Sequence, residues 1–389
     1  MRLISPSIVH RIRRDRAARR EPIYLVSASG QPNFGDELIT RAWLDWLAAR
    51  APQREVWLDS IEPGRAAHLF RDTHPRLKTT NTLWQTVHTN LPSDVLAAAD
   101  RVETLLDGLG SPRNDAGLRD LRGMGSIHLL GGGYLNTIWS QNLALVAAMT
   151  HLKRRYGTRL FATGQGLLPH DASTRAWMKA QLAQFDYVES RDRKGSDMFD
   201  VVAGSDDAFL AFSGGRRVFS ASDRLPHAMI LVQGGAFTEG RSERWQGIVD
   251  HFAAAADDGL GFVEALPPDD MAYLGEHPGT GARLFPFMSL WDEGFPAAST
   301  QAWLTTRFHA HLLAAGAGAR GVVVEADPDY YGVKHELLAK LGTGWTVWDA
   351  DERGRPPEPE DATVNPEFPV IAKEIGRAKS LLAAQLYLG

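Results

Sequence analysis

Cysteine is absent from this chain of 389 residues. Its absence excludes disulfides, thiol nucleophiles, iron–sulfur clusters and every zinc site that needs cysteine ligands. Long hydrophobic runs are missing too, because the longest, around Leu143 to Met149, falls far short of the roughly 18 residues of a membrane-spanning helix. The first residues, Met1 to Pro6, lack the apolar stretch of a signal peptide. We therefore expect a cytoplasmic protein that is neither secreted nor membrane-spanning.

A strong excess of one charge is also lacking. The chain has 42 Lys and Arg against 47 Asp and Glu, a net charge of −5 and a pI ≈ 6.2, so nucleic acid is not an expected partner. Residues 1–20 depart from this balance, because their arginine cluster is opposed only by Asp15. Its members are Arg11, Arg13, Arg14, Arg16, Arg19 and Arg20. Such a segment is typical of a solvated arm or of a peripheral contact with anionic membrane at the inner face, and both interpretations stay open.

What the chain does contain is a regular alternation of apolar strands and amphipathic helices. Residues 23–26 form a predicted strand, a polar loop and a helix from about Glu37 follow, and this order recurs as far as residue 348. Such alternation predicts parallel sheets with helices on both faces. The expected fold class is therefore α/β, with two doubly wound Rossmann-like domains that face a cleft.

Breaks in the alternation suggest the domain limits. Residues 213–226 interrupt it with glycine and scattered charge, which predicts an N-terminal domain over 21–215 and a C-terminal domain over 216–348. Residues 1–20 are the basic arm, and 349–389 are an acidic, proline-rich linker with a closing helix. Ligands of such sheets bind beyond the carboxyl ends of the strands, so the cleft is the expected active site. Residues 61–90 are expected to be loops that shape this site.

The loop Asn33-Phe34-Gly35-Asp36 follows the first strand and precedes a helix. A helix N-terminus attracts anions through its free N–H groups and the helix dipole. Asp36 at this place either caps the helix or holds and activates a substrate hydroxyl, and the residues alone leave both roles open.

Three further loops at strand ends are rich in glycine. They lie at 131–133, 164–166 and 234–235. Gly131, Gly132 and Gly133 allow the backbone to approach a ligand closely, although a tight turn explains them almost as well. None of the loops has the ending of a P-loop, and none fits the GxGxxG pattern between strand and helix. A dinucleotide enzyme is therefore disfavoured, and no cofactor is predicted.

The segment from Thr305 to His311 joins a strand to a helix and is the most informative stretch. Arg307 offers a planar fork that suits carboxylate or phosphate oxygens, and His309 suits proton transfer near neutral pH. The alternative is a capping arginine with a packed histidine. No metal is predicted, because on a helix His309 and His311 would point roughly 200° apart.

Two more cations lie at predicted strand ends. Lys334 is either a phosphate partner or an ordinary lysine on a helix surface. Arg191 ends the predicted strand at 187–190, and the alternative to a binding role is a salt bridge with Asp192 or Glu189.

Taken together, these stretches resemble the polysaccharide pyruvyl transferase family. The resemblance covers about Tyr24 to Gly342 and rests on the order and spacing of its pieces. Those pieces are Asn33-Phe34-Gly35-Asp36-Glu37, Gly131-Gly132-Gly133, Gly164-Gln165-Gly166, Arg191-Asp192, Asp206-Asp207-Ala208-Phe209, Thr306-Arg307-Phe308-His309-Ala310 and Tyr331-Gly332-Val333-Lys334.

The resemblance implies a fold similar to B-type glycosyltransferases. It also implies transfer of the enolpyruvyl unit of phosphoenolpyruvate to two hydroxyls of one sugar, as a cyclic ketal. By resemblance, Arg191, Arg307 and His309 match positions that contact phosphoenolpyruvate. The expected acceptor is a glycan or lipid-linked glycan of cell-envelope or exopolysaccharide biosynthesis, on the side of the N-terminal domain.

The residue types suit this chemistry. The donor carries a carboxylate and a phosphate, so it needs at least two cations, which Arg191, Arg307 and Lys334 could supply. His309 is the candidate acid for the methylene carbon, and Asp36 would accept a hydroxyl proton or orient the sugar. The remaining candidates contact the acceptor or form backbone loops, namely Asn33, Gly35, Gly131, Gly132, Gly133 and Gln165.

Two other hypotheses stay open. The first is a nucleotide-sugar-dependent glycosyltransferase on the same fold, which would bind base and ribose in the second domain near Gly234 or Glu325. The second is a binding module without catalysis, against which the presence of Arg307 and His309 argues.

Overall fold

A computed structural model describes residues 21–89, 91–108, 115–234, 242–256, 259–274, 281–325, 333–349 and 354–388. The predicted basic arm lies outside the described residues, and so do Gly235 and the side chain of Lys334. The chain divides into two compact units. Of the described residues, unit 1 contains those within 21–31, 36–210 and 377–388, and unit 2 contains those within 32–35 and 211–376.

Unit 1 is built on a seven-stranded parallel sheet. Its strands are β1 (Ile23–Ser27), β2 (Val56–Ser60), β3 (Leu77–Thr80), β4 (Ser126–Leu129), β5 (Arg159–Gln165), β6 (Tyr187–Ser190) and β7 (Val202–Ala203). Their order is β3-β2-β1-β4-β5-β6-β7. All five residues of β1 are buried, as expected for a parallel strand covered on both faces. The order reverses between β1 and β4, and ligands of doubly wound sheets bind beside such a reversal.

Helices connect these strands. They are α1 (Phe34–Arg50), α2 (Pro63–Leu69), α3 (Thr82–His88), α4 (Val95–Asp107), α5 (Asp115–Leu121), α6 (Ala144–Tyr156), α7 (Ala172–Leu182) and α8 (Arg193–Phe199). The side chains of Asp94, Asp171 and Asp192 cap α4, α7 and α8 by accepting a backbone N–H of the first turn. These bonds satisfy donors that have no partner inside a helix. The core beneath the helices includes Trp84, Ile127 and Met149.

Unit 2 is built on a six-stranded parallel sheet. Its strands are β8 (Ala228–Leu231), β9 (Leu260–Val263), β10 (Arg283–Phe285), β11 (Ala302–Thr305), β12 (Arg320–Glu325) and β13 (Thr346–Asp349). Their order is β10-β9-β8-β11-β12-β13, so the reversal falls between β8 and β11. The helices are α9 (Ser242–Ala254), α10 (Phe287–Glu293), α11 (Phe308–Gly316), α12 (Val333–Lys340) and the first part of α13 (Phe368–Leu388). Ile230, Phe252 and Leu304 contribute to the core.

The predicted α/β class with two doubly wound parallel sheets is confirmed. The expectation that residues 61–90 are loops is wrong, because they contain α2, β3 and α3. The sequence of β3 is Leu-Lys-Thr-Thr, a half-exposed strand at the sheet edge without an apolar run. Within the described ranges, no helix combines the length and hydropathy that crossing a membrane requires.

Candidate functional site

Two threonine hydroxyls hold the turn between β11 and α11 in unit 2. Thr305 Oγ1 donates to the Leu231 carbonyl at 2.7 Å and accepts from Arg307 N at 3.0 Å. Thr306 Oγ1 accepts from Gln233 N at 3.0 Å. Both threonines are buried, so the turn is fixed to the carboxyl end of β8. Arg307 begins α11 from this backbone, as its N-cap residue.

The Arg307 guanidinium lies against two carboxylates of the same unit. Nε donates to Asp270 Oδ1 at 2.9 Å, Nη2 contacts the same oxygen, and Nη2 also donates to Asp269 Oδ2 at 2.7 Å. The Arg307 side chain keeps 20% of its surface exposed. Asp269 and Asp270 could not be predicted as partners of Arg307, because nothing in a pair of acids after two prolines indicates an arginine 37 residues further on.

His309 lies in the first turn of α11 and is half-buried. Its imidazole packs directly on Gly35, where a Cβ would overlap the ring, so this position requires glycine. Phe34 N donates to the Ala265 carbonyl at 2.8 Å, and Asn33 Oδ1 accepts from Gly35 N at 3.3 Å. Unit 2 therefore brings together two predicted segments, residues 33–35 and the start of α11.

His311 lies in the interior of unit 2, where its ring nitrogens are 3.3 Å from His335 Nδ1 and 2.9 Å from Thr343 Oγ1. His335 Nε2 donates to the Thr306 carbonyl at 3.1 Å, which leaves its Nδ1 to accept from His311. Burial lowers the pKa of His311 well below its ordinary value. His311 is therefore a neutral group that supports the turn through His335, and it does not share the environment of His309. Among the described residues, no three His, Asp or Glu side chains are grouped as metal ligands.

In unit 1, the triple-glycine loop follows β4 and is fixed by Asp207. Gly131 N donates to Asp207 Oδ2 at 2.9 Å. Trp43 Nε1 donates to the same oxygen at 2.9 Å, and Thr163 Oγ1 at 2.6 Å. A Cβ on Gly131 would lie 3.0 Å from the Asp207 side chain. The first glycine is therefore explained by this close approach, and a Cβ on Gly132 would overlap the ring of Tyr134. A ligand contact of this loop stays a prediction.

The other oxygen of Asp207 accepts from Lys379 Nζ at 2.7 Å, and Lys379 also pairs with Glu189. The side chains of all three residues are at most 4% exposed. Burial lowers the pKa of Lys379, but the two carboxylates outweigh burial and raise it above its ordinary value. Lys379 belongs to α13, so a charged group ties the closing helix to the glycine loop. This triad could not be predicted, because in the sequence Lys379 resembles any surface lysine of an amphipathic helix.

The side chain of Gln165 bonds to backbone carbonyls at the ends of β4 and β5. Its Nε2 donates to the carbonyls of Leu129, Leu130 and Thr163 at 3.0, 2.9 and 2.9 Å, and its side chain is buried. A contact of Gln165 with an acceptor stays a prediction.

Arg191 makes the salt bridge that was its alternative role, but with a different residue. Its Nη1 donates to Asp206 Oδ2 at 2.8 Å, and both side chains are buried. Of the two partners that the sequence suggested, Asp192 caps α8 and Glu189 pairs with Lys379. The guanidinium also fills the space beside Gly166.

Asp36 lies inside the first turn of α1, which starts at Phe34, so it does not occupy the cap position. Its carboxylate is 3.6 Å from where a Cβ on Gly132 would sit. The next residue, Glu37, is fully buried and accepts from Gly30 N at 2.8 Å. Burial raises the pKa of Glu37 to about 8, which favours the neutral acid over the carboxylate.

Solved structures with a similar fold indicate the class to which the two parallel, doubly wound sheets belong. One similar solved structure is UDP-GlcNAc 2-epimerase from Neisseria meningitidis bound to UDP-GlcNAc, with a TM-score of 0.53 and 9% identity over 94% of this chain and 99% of that one. The UDP co-structure of S. aureus MnaA has a TM-score of 0.49 and 12% identity, with 95% and 98% covered. The first likeness shows a fold of the B-type glycosyltransferase class.

The family is defined by sequence. The model of the polysaccharide pyruvyl transferase family matches residues 33–265, more than half of the chain. The chain therefore belongs to the polysaccharide pyruvyl transferase family, as the resemblance predicted. No protein of curated function matches the chain. Arg307, His309 and Lys334 lie beyond the matched range.

Proposed function

We propose that the protein transfers the enolpyruvyl unit of phosphoenolpyruvate to two hydroxyls of one sugar in a cell-surface polysaccharide or its lipid-linked precursor. Membership of the family supports a transferase of polysaccharide biosynthesis. The observation that carries the choice of donor is the start of α11, where Arg307 and His309 are only two residues apart on a turn braced by Thr305 and Thr306.

The donor is an anion with two charged groups, and the start of α11 suits one of them. Arg307 offers a guanidinium that can bind a carboxylate or phosphate bidentately. The first turn of α11 adds backbone N–H groups and the positive end of the helix dipole. We assign Lys334 as the second cation for the donor, and a donor contact of Arg191, which is buried against Asp206, stays a prediction. This set meets the minimum of two cations that a carboxylate and a phosphate require.

In the proposed reaction, His309 protonates the methylene carbon C3 of phosphoenolpyruvate as C2 becomes cation-like. One sugar hydroxyl bonds to C2, the bond from C2 to the phosphate oxygen breaks, and a neighbouring hydroxyl closes the ketal. Of the two hydroxyl protons, one replaces the proton given to the new methyl group and the other leaves on the phosphate. Asp36 accepts a hydroxyl proton or orients the sugar. A positioned acid contributes roughly 10²–10⁴-fold to the rate.

A donor competition tests this proposal. The purified protein is incubated with carboxyl-labelled phosphoenolpyruvate or with labelled UDP-sugars, each with a panel of glycans that carry neighbouring hydroxyls. We expect acid-labile label in a glycan, with one phosphate released for each pyruvate transferred. Transfer from a UDP-sugar without use of phosphoenolpyruvate would overturn the proposal in favour of a glycosyltransferase.

Two substitutions in unit 2 separate the roles of the arginine and the histidine. We expect His309→Ala to lower turnover by roughly 10²–10⁴-fold while phosphoenolpyruvate affinity in calorimetry stays within about threefold. We expect Arg307→Ala to weaken that affinity by at least about tenfold, since a charge-assisted bond is lost. His227→Ala and Arg320→Ala, both at exposed positions of unit 2, are matched controls. Unchanged affinity in Arg307→Ala would remove Arg307 from the donor site.

A further inference from the structure

We propose that Asp269 and Asp270 have opposite effects on anion binding at Arg307. Asp270 is a positioning residue that fixes the guanidinium, and Asp269 is a displaceable partner that competes with the bound anion. The identity of the anion as phosphoenolpyruvate rests on the proposed function, whereas the division of roles follows from the geometry of the two carboxylates.

Asp270 is built into the backbone of unit 2. Its side chain is fully buried, and its Oδ2 accepts from Ala265 N at 3.0 Å and Leu266 N at 2.7 Å. Its Oδ1 accepts from Nε and Nη2 of Arg307. A carboxylate with every oxygen engaged and no contact with water has no alternative position. Asp270 therefore sets the plane and direction of the guanidinium.

Asp269 is held much less firmly. Its side chain is 39% exposed, and its Oδ2 accepts from Gly234 N at 3.2 Å in addition to Arg307 Nη2 at 2.7 Å. Water can replace these bonds when the side chain turns outward, because the group already faces solvent. Such an exposed ion pair contributes little to stability. Exchanging the Asp269–Arg307 contact for contacts with water therefore costs little free energy.

The charges around Arg307 determine how Asp269 affects the affinity for an anion. One guanidinium faces two carboxylates, so the group carries an excess negative charge before any ligand arrives. Asp270 takes the Nε–Nη2 edge, and Asp269 lies at the Nη2 corner of the Nη1–Nη2 end, which we assign to the ligand. A carboxylate or phosphate that binds there meets a like charge until Asp269 moves. Asp269 thus occupies the place of a ligand oxygen and lowers the affinity for anions.

Calorimetry with phosphoenolpyruvate tests the opposite signs. We expect Asp269→Asn to tighten binding about threefold to tenfold and Asp270→Asn to weaken it at least tenfold. Asp292→Asn, an exposed change in the same unit, is the control and should have no effect. Unchanged or weaker binding in Asp269→Asn would overturn the competing role. Asp270→Glu should recover part of the affinity if Asp270 acts by positioning, and no recovery in a folded variant would count against that role.

Arginine labelling gives a test that does not depend on the donor. Phenylglyoxal adducts at Arg307 are measured over time by peptide mass spectrometry in the full-length protein without ligand. We expect Asp269→Asn to speed labelling of Arg307 severalfold, and Asp292→Asn to leave it unchanged. If labelling responds in this way but no variant binds phosphoenolpyruvate, the proposed donor is wrong and the division of roles stands. If the donor binds and Asp269→Asn changes neither measurement, the inference is wrong.

Discussion

At the scale of single residues, the contact between Gly35 and His309 links two segments that lie far apart in sequence. Phe34 anchors the first segment, because its ring packs against Phe287 and Phe295 with centroids 6.4 and 5.6 Å away. One face of the His309 ring therefore packs against the backbone of Gly35. This contact is possible only while residue 35 has no side chain. The glycine of the motif is explained by the position of the imidazole.

Gly35→Ala tests this contact. The new methyl group would overlap the ring of His309, so we expect the imidazole to shift and turnover to fall at least about tenfold, with an overpacking cost of roughly 1–3 kcal/mol. Enzyme assays and thermal unfolding measure the two effects.

Gly64→Ala provides the comparison for this change. Gly64 lies in a helix, and a Cβ added there would have no atom within 4 Å outside its own helix and chain neighbours, so alanine there should be neutral or stabilising by up to about 1 kcal/mol. Equal activity in Gly35→Ala and Gly64→Ala would show that the position of His309 does not depend on residue 35.

A sequence indicates candidate residues where the type and spacing of the side chains carry the signal. Arg307 and His309 stand out because an arginine and a histidine end a strand together, whatever surrounds them. Asp270 and Lys379 were not predictable, because their roles come from partners 37 and 190 residues away. A sequence pattern shows local spacing, whereas burial and ion pairing depend on which distant residues the fold brings into contact.

At the scale of elements, the last turns of α13 are the least expected part of unit 1. Besides Lys379, Tyr387 is buried there and its hydroxyl is 2.7 Å from His128 Nδ1. Ser380 Oγ accepts from Trp46 Nε1 at 2.9 Å. These polar contacts fix the helix in one register, because a shift would leave buried groups without partners.

Lys379→Met tests the contribution of the buried ion triad. The change removes the cation between two buried carboxylates, and we expect a loss of about 3–5 kcal/mol of unfolding free energy. Urea denaturation of the full-length protein measures it. Lys373→Met on the same helix replaces an exposed lysine and should cost less than about 0.5 kcal/mol. Similar midpoints for the two variants would mean that the triad does not stabilise the fold.

Elements with a clear pattern were predictable. The strand expected at residues 187–190 is β6, and the strand expected at 23–26 is β1, which ends one residue later. β7 was missed, because it has two exposed residues and owes its form to pairing with β6. Edge strands of this kind are set by a neighbour and leave no hydrophobic signature.

At the scale of the molecule, both sheets share one architecture, and a repeated sequence pattern was sufficient to predict it. Each sheet has a central pair of strands, β1 with β4 and β8 with β11, where the order reverses. Residues 33–36 follow β1, residues 131–133 follow β4, and Arg307 and His309 follow β11, as the general rule for doubly wound sheets requires. Arg191 follows β6, away from the reversal. What the pattern did not show is the number of buried acids that support these loops.

Those buried acids give the stability of the molecule a dependence on pH. Burial raises the pKa of Glu37 from 4.5 to about 8, and burial raises that of Asp59 from 3.8 to about 7. A group whose pKa is higher in the folded state binds its proton more tightly there, so its contribution to stability is complete at low pH and is lost as pH rises toward the folded-state value. For Glu37 this loss spans about pH 4.5 to 8.

Glu37→Gln isolates this effect, because the amide cannot ionise and its oxygen can still accept from Gly30 N. We expect the stability of the wild type relative to Glu37→Gln to fall by up to about 1.4 kcal/mol per pH unit between about pH 5 and 8, and to level off above. Calorimetric unfolding across this range measures the difference. Glu62→Gln, at an exposed position of the same unit, should follow the wild type throughout. Parallel pH profiles for the wild type and Glu37→Gln would mean that Glu37 is already ionised in the folded protein, and that the Gly30 N–H holds a carboxylate instead of a neutral acid.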